Sequence, residues 1–301
     1  MTNISNVSNV FQSEYIPKAF RLRVPSPTIP IVAVFLLSGC ATAPMTPGGS
    51  LSSYDDLSTS DGMLTKSRVH LNKANVLAAK TIRIMPTAFL AAASPALSDN
   101  QRKLVANTVD RALCIGLSDR FQVVASDASA DLTVHAVVTN AATTDEMAAG
   151  ASQVAGIAPA VLGIRAFVPR IPVGLGSLTV EAETQSREGK PQASMIWARG
   201  ADSFTSSPRV SSAGDAYDLA TTFGSDFSQL LVTGSSPFGA MPPAPSLQKI
   251  SASFGGKAKY AACEAFGRGP GVTGMVAQRI GMPPEWTDDG AAPVNAPGPS
   301  E

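Results

Sequence analysis

The sequence Leu178-Thr-Val-Glu-Ala-Glu-Thr184 alternates apolar and polar residues, and a similar run follows at residues 192–204. A period of two is typical of a β-strand with one face buried and the other in water. The turn-forming residues Arg187-Glu-Gly-Lys190 lie between the two runs, so we predict a β-hairpin. Glu181 and Glu183 are predicted on the solvent face, where exposed glutamates promote solubility. As paired carboxylates they could alternatively serve acid–base catalysis.

The other periodic segments surround this hairpin. Shorter strands are predicted at residues 81–85, 121–124 and 132–139, and amphipathic helices at residues 98–117 and 212–232. Because the strands are half polar, helices should cover only one face of the sheet. The predicted fold class is α+β, a mixed and mostly antiparallel sheet with two amphipathic helices packed on one face and an irregular C-terminal wrap.

The N-terminal region carries a targeting signal. Three basic residues precede the apolar run Ile31-Val-Ala-Val-Phe-Leu-Leu37, which ends at Ser38-Gly39-Cys40. This is the layout of a secretory signal, and the run is shorter than the about 20 residues of a membrane-spanning helix. Its end resembles the lipobox of bacterial lipoproteins. The resemblance implies removal of residues 1–39, a diacylglycerol on the Cys40 sulfur and acylation of the new amino terminus, with palmitate among the acyl chains. The alternatives are a buried cysteine after a buried segment, or a signal anchor that is never cut.

The residue after the lipobox bears on location. In Gram-negative lipoproteins, an aspartate after the lipidated cysteine retains the protein at the inner membrane. Because Ala41 stands there, the resemblance implies the periplasmic face of the outer membrane. The predicted partners are therefore the membrane, through the anchor on Cys40, and a protein of the envelope.

Composition divides the chain of 301 residues into one domain with tails. The predicted parts are a signal peptide at 1–39, a flexible tether at 40–50, an α/β domain at 51–233, a Pro/Gly-rich wrap at 234–286 and a disordered tail at 287–301. The formal net charge is zero, so no overall field attracts nucleic acid. The oligomeric state is left open.

Residue patterns that carry chemistry are few. His135 lies on the wetter face of a predicted strand, His70 precedes the first predicted strand, and neither has a nucleophile motif nearby. No His, Cys or Asp cluster has metal-ligand spacing. The string from Gly269 to Gly274 fits the dinucleotide fingerprint, but no predicted strand precedes it. We therefore predict no catalytic residue, no metal and no cofactor. The predicted function is a binding or scaffolding module, and the alternative is an envelope hydrolase with an unrecognised active site.

An apolar insert occupies residues 154–175 and includes Ile157, Val161, Leu162 and Phe167. As an exposed patch it would mark a contact with a partner or membrane. Alternatively it folds back over the open face of the sheet. We favour the second arrangement, because a bare patch promotes aggregation.

Two cysteines remain if Cys40 is lipidated. Cys114 falls on the polar face of the first long helix and Cys263 lies in the C-terminal wrap. An oxidising compartment permits a disulfide between them, which would hold the wrap across the helix. Two unrelated thiols are the alternative.

The order of these features resembles a family. The lipobox is followed by Leu51, Tyr54 and Leu57, by the strand that ends before Pro86, by a helix, and by Gly176-Ser-Leu-Thr-Val-Glu181 before a glycine turn. This order resembles the bacterial lipoprotein family called domain of unknown function 3313, over about residues 51–231. The resemblance implies no catalytic residues.

Overall fold

The structure is a computed structural model that describes residues 43–90, 92–163, 167–239, 244–288 and 290. The described residues form one compact unit. A sheet of eight strands forms its centre. The strands are β1 (Ser58–Thr59), β2 (Thr65–Leu71), β3 (Thr81–Ile84), β4 (Ala88–Phe89), β5 (Gln122–Val124), β6 (Leu132–Ala142), β7 (Ser177–Ser186) and β8 (Pro191–Gly200).

The spatial order of the strands is β1-β2-β8-β7-β6-β3-β5, with β4 also paired to β6. The neighbouring pairs β1–β2, β2–β8, β8–β7 and β7–β6 are antiparallel. Strand β3 runs parallel to β5 and β6, and β4 runs parallel to β6. The hairpin predicted from the alternating runs is β7–β8, at the middle of the sheet. A mixed, mostly antiparallel sheet was predicted, and the fold class is confirmed.

Six α-helices accompany the sheet in the residues that the structure describes. They are α1 (Lys73–Ala78), α2 (Asp99–Leu117), α3 (Glu146–Val161), α4 (Gly214–Thr233), α5 (Leu247–Ser253) and α6 (Gly271–Arg279), with 3-10 turns at Ala261–Phe266 and Pro284–Trp286. Within the described part of the chain, no helix has the length and apolar character needed to cross a membrane.

The long helices α2 and α4 form one layer against the sheet. A capping box of Ser98 and Gln101 starts α2, and Gly234 ends α4 in the left-handed conformation, with φ of 64°. Gly224 of α4 packs so closely on Ala112 of α2 that a Cβ would collide. This close approach lets both helices bury their apolar stripes against the same face of the sheet.

The core between the layers is aromatic at its centre. Trp197 of β8 contacts Phe223 edge to face, with ring centroids 5.7 Å apart, and Phe223 stacks on Phe227 at 5.9 Å. All three side chains are fully buried. Every second side chain of β6, β7 and β8 points to the opposite face of the sheet, which α2 and α4 do not cover.

Two elements differ from the sequence predictions. Strand β2 precedes the first strand that we predicted, so His70 is part of the sheet. Its buried positions include Thr65 and Ser67, which weakens the apolar alternation on which strand prediction depends. Helix α3 was also not predicted, because Pro159 argues against a helix. Pro159 lies in the last turn of α3, so one backbone hydrogen bond is lost there, but only two helical residues follow it.

Candidate functional site

Glu181 and Glu183 are buried at the centre of the sheet, with 0% and 3% exposure. They lie on β7, between β6 and β8, on the face opposite α2 and α4. The prediction that they face solvent was wrong. The reason is that the chain segment of residues 44–54, which we call the strap, covers this face and contacts both carboxylates.

The strap supplies hydrogen-bond donors to Glu181. The backbone N–H of Gly48 donates to Oε1 at 2.6 Å, and that of Ser50 donates to Oε2 at 3.1 Å. The Ser50 hydroxyl also donates to Oε2, as does the Tyr54 hydroxyl at 2.8 Å. Burial, and then the neighbouring Glu181 carboxylate, raise the pKa of Tyr54. The Glu181 carboxylate therefore accepts four hydrogen bonds from the strap.

Glu183 binds the next part of the strap. The Ser52 N–H donates to Oε2 at 2.9 Å and its hydroxyl donates to Oε1 at 2.6 Å. Gln185 donates to Oε1 at 2.7 Å. Across the described residues, neither this glutamate nor Glu181 has a cation within ion-pair distance. Hydrogen-bond donors alone therefore solvate both buried carboxylates.

The strap runs along β7 from its N-terminal end. The Thr179 hydroxyl donates to the Pro44 carbonyl oxygen at 2.9 Å, and Gly48 packs against Thr139 with no room for a side chain. Residues 44–50 thus contact the sheet, which differs from the predicted flexible tether of residues 40–50. Cys40, the predicted lipidation residue, lies outside the described residues.

The apolar insert does not cover the sheet. Val161, Leu162 and Phe167 are 78%, 72% and 71% exposed, and Ile157 is 40% exposed. The favoured prediction that this insert folds back over the open face was wrong, because the strap occupies that face. The contact-patch alternative agrees with these exposures.

Cys114 and Cys263 form a disulfide with their Cα atoms 5.8 Å apart. The structure places Cys114 in the core, with 0% exposure, whereas the helical wheel placed it on the polar face. That face of α2 is covered by the turn Ala261–Phe266, and Asp110 and Arg111 beside it are buried too. The helical wheel therefore assigned these polar residues to a solvent-exposed face, although other segments of the chain cover them.

The last described residues also bind α2. Asp288 pairs with Arg111 and accepts a hydrogen bond from the Tyr217 hydroxyl at 2.6 Å. Although burial opposes it, the hydrogen bonds from Arg111 and Tyr217 hold the pKa of Asp288 below its usual value. The predicted disordered tail of residues 287–301 therefore starts at too early a residue. Amino-acid composition does not reveal that Asp288 forms an ion pair with Arg111.

A cavity of about 360 Å³ lies between α2, α4 and the C-terminal wrap. Its lining includes Arg209 and Asp218, whose Nε and carboxylate are 3.2 Å apart. Burial raises the pKa of Asp218 to about 6, against the opposing effects of Arg209 and of the Gln278 amide. The Gly269-Pro-Gly271 loop borders the cavity, and the turn Ala261–Phe266 rather than a strand precedes it. The loop thus lacks the context of a dinucleotide site.

The two histidines lie on the same face as the glutamates. Register pairs His70 with Ser194, Ser194 with Glu183, and Glu183 with His135. Burial lowers the pKa of His135, against the effect of the Glu183 carboxylate. Among the residues that the structure describes, no group of three His, Cys, Asp or Glu side chains could hold a metal ion.

The strap residues Gly48, Ser50 and Ser52 are the site residues that sequence reasoning missed. A signal was present, because two glutamates stand at the centre of the most regular strand while a Gly/Ser-rich segment offers many donors. The geometry defines an α+β module that holds its own N-terminal segment against the open face of its sheet.

The chain belongs to the family described as "Protein of unknown function (DUF3313)", whose profile matches residues 46–227. This match confirms the family predicted from the order of motifs.

No curated protein matches the chain. Three solved structures show distant likeness. Two structures of the PelC dodecamer from Paraburkholderia phytofirmans, one of them a point variant, are 10% identical over 56% of this chain and 98% of theirs, with TM-scores of 0.34 and 0.33. A DUF4136 family protein from Bacteroides thetaiotaomicron is 12% identical over 60% of this chain and 100% of its own, with a TM-score of 0.27.

Proposed function

We propose that this protein is a binding or scaffolding module of the Gram-negative envelope, anchored by lipid on Cys40 to the periplasmic face of the outer membrane. The observation that carries the proposal is the strap. Four residue steps separate Cys40 from Pro44, and a fully extended chain covers at most about 14 Å over that length. The docked strap would therefore hold the module close to the bilayer at one defined end of its sheet.

A fixed end favours a scaffolding role over free diffusion on a long tether. A module whose docked strap lies within about 14 Å of the membrane keeps one end of its sheet close to partners in that membrane. This preorganisation reduces the entropy lost on binding. An envelope protein is the partner class we propose.

The hydrolase alternative is supported by the cavity and by the raised pKa of Asp218. However, Arg209 and Gln278 both bind the Asp218 carboxylate. No histidine is present among the described residues that line the cavity. These contacts are typical of a structural ion pair, so the binding module is the function we prefer.

Cys40→Ala tests the anchor. We expect this variant to lose labelling by radioactive palmitate and to accumulate as unprocessed precursor, because the sulfur that would carry the diacylglycerol is absent. Ala41→Asp is the matched control: it should keep the label and move to the inner-membrane fraction. Continued palmitate labelling of the Cys40→Ala protein would refute the lipid assignment.

A further inference from the structure

The cavity between α2, α4 and the C-terminal wrap has the size of a small-ligand site. Its volume of about 360 Å³ lies within the range of about 300–1,000 Å³ that such sites occupy. Thr221 and Ser225 of α4 line the cavity and are exposed, so it opens to solvent. The disulfide between Cys114 and Cys263 joins the wrap to α2. The walls are therefore held together before a ligand arrives, which reduces the entropy lost on binding.

The wall of this cavity carries a guanidinium group with an unused donor. Arg209 lines the cavity, is only 3% exposed, and binds the Asp218 carboxylate through Nε. Its Nη1 is buried and has no hydrogen-bond partner among the described residues. Because a buried donor without a partner is unfavourable, an acceptor that enters the cavity would be bound preferentially at Arg209.

Positive charge predominates among the described charged residues that line the cavity. Arg111 and Lys249 add two cations to the Arg209 guanidinium, whereas the lining has one carboxylate, that of Asp218. Arg111 is already paired with Asp288. The Lys249 Nζ, however, lies 3.5 Å from the nearest carboxylate oxygen, which is longer than the about 2.7–2.9 Å of a charge-assisted hydrogen bond. The cavity therefore favours a ligand with an acidic group.

Much of the remaining wall is apolar, and it includes Ala112, Ile115, Ala252 and Met275. A bare inorganic anion would leave this apolar surface in contact with water, whereas a hydrocarbon body would cover it. Since Asp218 already neutralises Arg209, a singly charged acidic group suits the site better than a doubly charged one.

We infer that this cavity binds a small amphipathic carboxylate, with the acidic group on Arg209 and the hydrocarbon body against the apolar wall. The site lies on the helical side of the fold and is independent of the strap and of the lipid anchor.

Isothermal titration calorimetry with sodium octanoate tests the inference. The protein is residues 43–301, which include every described residue of the compact unit and lack Cys40, so no attached acyl chain competes. We expect one octanoate to bind per chain. Octanol lacks the charge and inorganic phosphate lacks the hydrocarbon body, so each should bind roughly tenfold more weakly or worse.

Two variants locate the binding. Thr221→Trp fills the cavity from an exposed helical position and should weaken octanoate binding roughly tenfold or more, because interiors have no spare volume. Met147→Trp on α3, at a side chain 84% exposed, is the control of equal bulk and should bind like the parent. Arg209→Lys keeps the charge beside Asp218 but loses the Nη1 donor. It should weaken octanoate binding roughly tenfold and leave octanol binding unchanged.

Absence of octanoate binding, or unchanged binding by the Thr221→Trp protein, would overturn the inference. So would octanol or phosphate that binds as tightly as octanoate, because the ligand class would then be wrong. If thermal melts show that Arg209→Lys does not fold, the comparison of octanoate with octanol still decides the role of the acidic group. Palmitate labelling is read on the full chain, so failure of either test leaves the other unaffected.

Discussion

Glu181 and Glu183 are fully enclosed yet have hydrogen-bond donors as their only described partners. An ionised carboxylate that leaves water needs several donors to offset its lost hydration. Charge-assisted hydrogen bonds contribute about 1.5–3 kcal/mol each, so four at Glu181 are enough to hold a short segment in place. Glycine and serine suit this task, because they add N–H and hydroxyl donors with little bulk.

Asp110 is another buried carboxyl group, on helix α2. Thr87 donates to it from its N–H at 3.0 Å and from its hydroxyl. Burial nevertheless raises the pKa of Asp110 to about 6, from an ordinary value of 3.8. The folded protein therefore holds this proton at a pH where the unfolded chain has released it. Stability from this group is highest at acidic pH and falls as the pH rises from about 4 to about 6.

Asp110→Asn should remove this pH dependence, because the amide stays neutral. The shift corresponds to about 3 kcal/mol. From about pH 4 to pH 7, the free energy of unfolding of the variant should therefore rise by up to that amount relative to that of the parent. Urea unfolding at both pH values measures this difference. Asp99→Asn on the same helix is the control: Arg102 holds the pKa of Asp99 below its usual value, so its contribution falls at lower pH. A pH-independent difference for Asp110→Asn would contradict the account.

At the scale of elements, the disulfide holds the C-terminal wrap against α2. It joins residues 149 positions apart, and a cross-link of this length stabilises by roughly 5 kcal/mol on the chain-entropy model, less any native strain. Replacing both Cys114 and Cys263 by alanine should lower the free energy of unfolding by up to that amount. It should also expose residues 244–288 to protease before the sheet is cut.

Peptide mapping without reductant checks the same bond. Peptides that contain Cys114 and Cys263 should migrate as one linked species and separate after reduction. Alkylation of both thiols in the unreduced protein would exclude the disulfide.

Elements with regular periodicity were predictable from the sequence. Strands β6, β7 and β8 alternate clearly, and α2 carries its own capping signal. Strand β2 was missed because Thr65 and Ser67 occupy buried positions. The apolar content of α3 suggested burial, whereas the structure exposes much of it. Periodicity reports which faces differ in polarity, but it does not report which segment covers a face.

The site was beyond the reach of sequence periodicity for the same reason. Gly48 and Glu181 are 133 positions apart, and no local pattern links them. A glutamate on a solvent face and a glutamate under a strap have the same sequence signature in β7. Similarly, Asp288 follows a Pro-rich turn and its buried partner Arg111 lies on α2, so composition alone indicated a disordered tail.

At the scale of the whole molecule, two terminal segments close the two open sides of a two-layer fold. The strap covers the outer face of the sheet, and the C-terminal wrap covers the outer side of α2. The strap enters at the end of the sheet where β6 ends and β7 begins, and α3 starts four residues after β6. The proposed anchor on Cys40 would bring the membrane to the end of the sheet where the strap enters.

The central claim is that the strap is docked, and hydrogen exchange at the Gly48, Ser50 and Ser52 amides tests it most directly. We predict that all three amides are protected in the parent protein. Glu181→Gln should accelerate exchange at Gly48 and Ser50 by roughly tenfold or more, because a charge-assisted acceptor is lost. Glu188→Gln, in the exposed β7–β8 turn, should leave all three rates unchanged. Exchange of these amides at the rate of an unstructured peptide in the parent protein would contradict the docked strap.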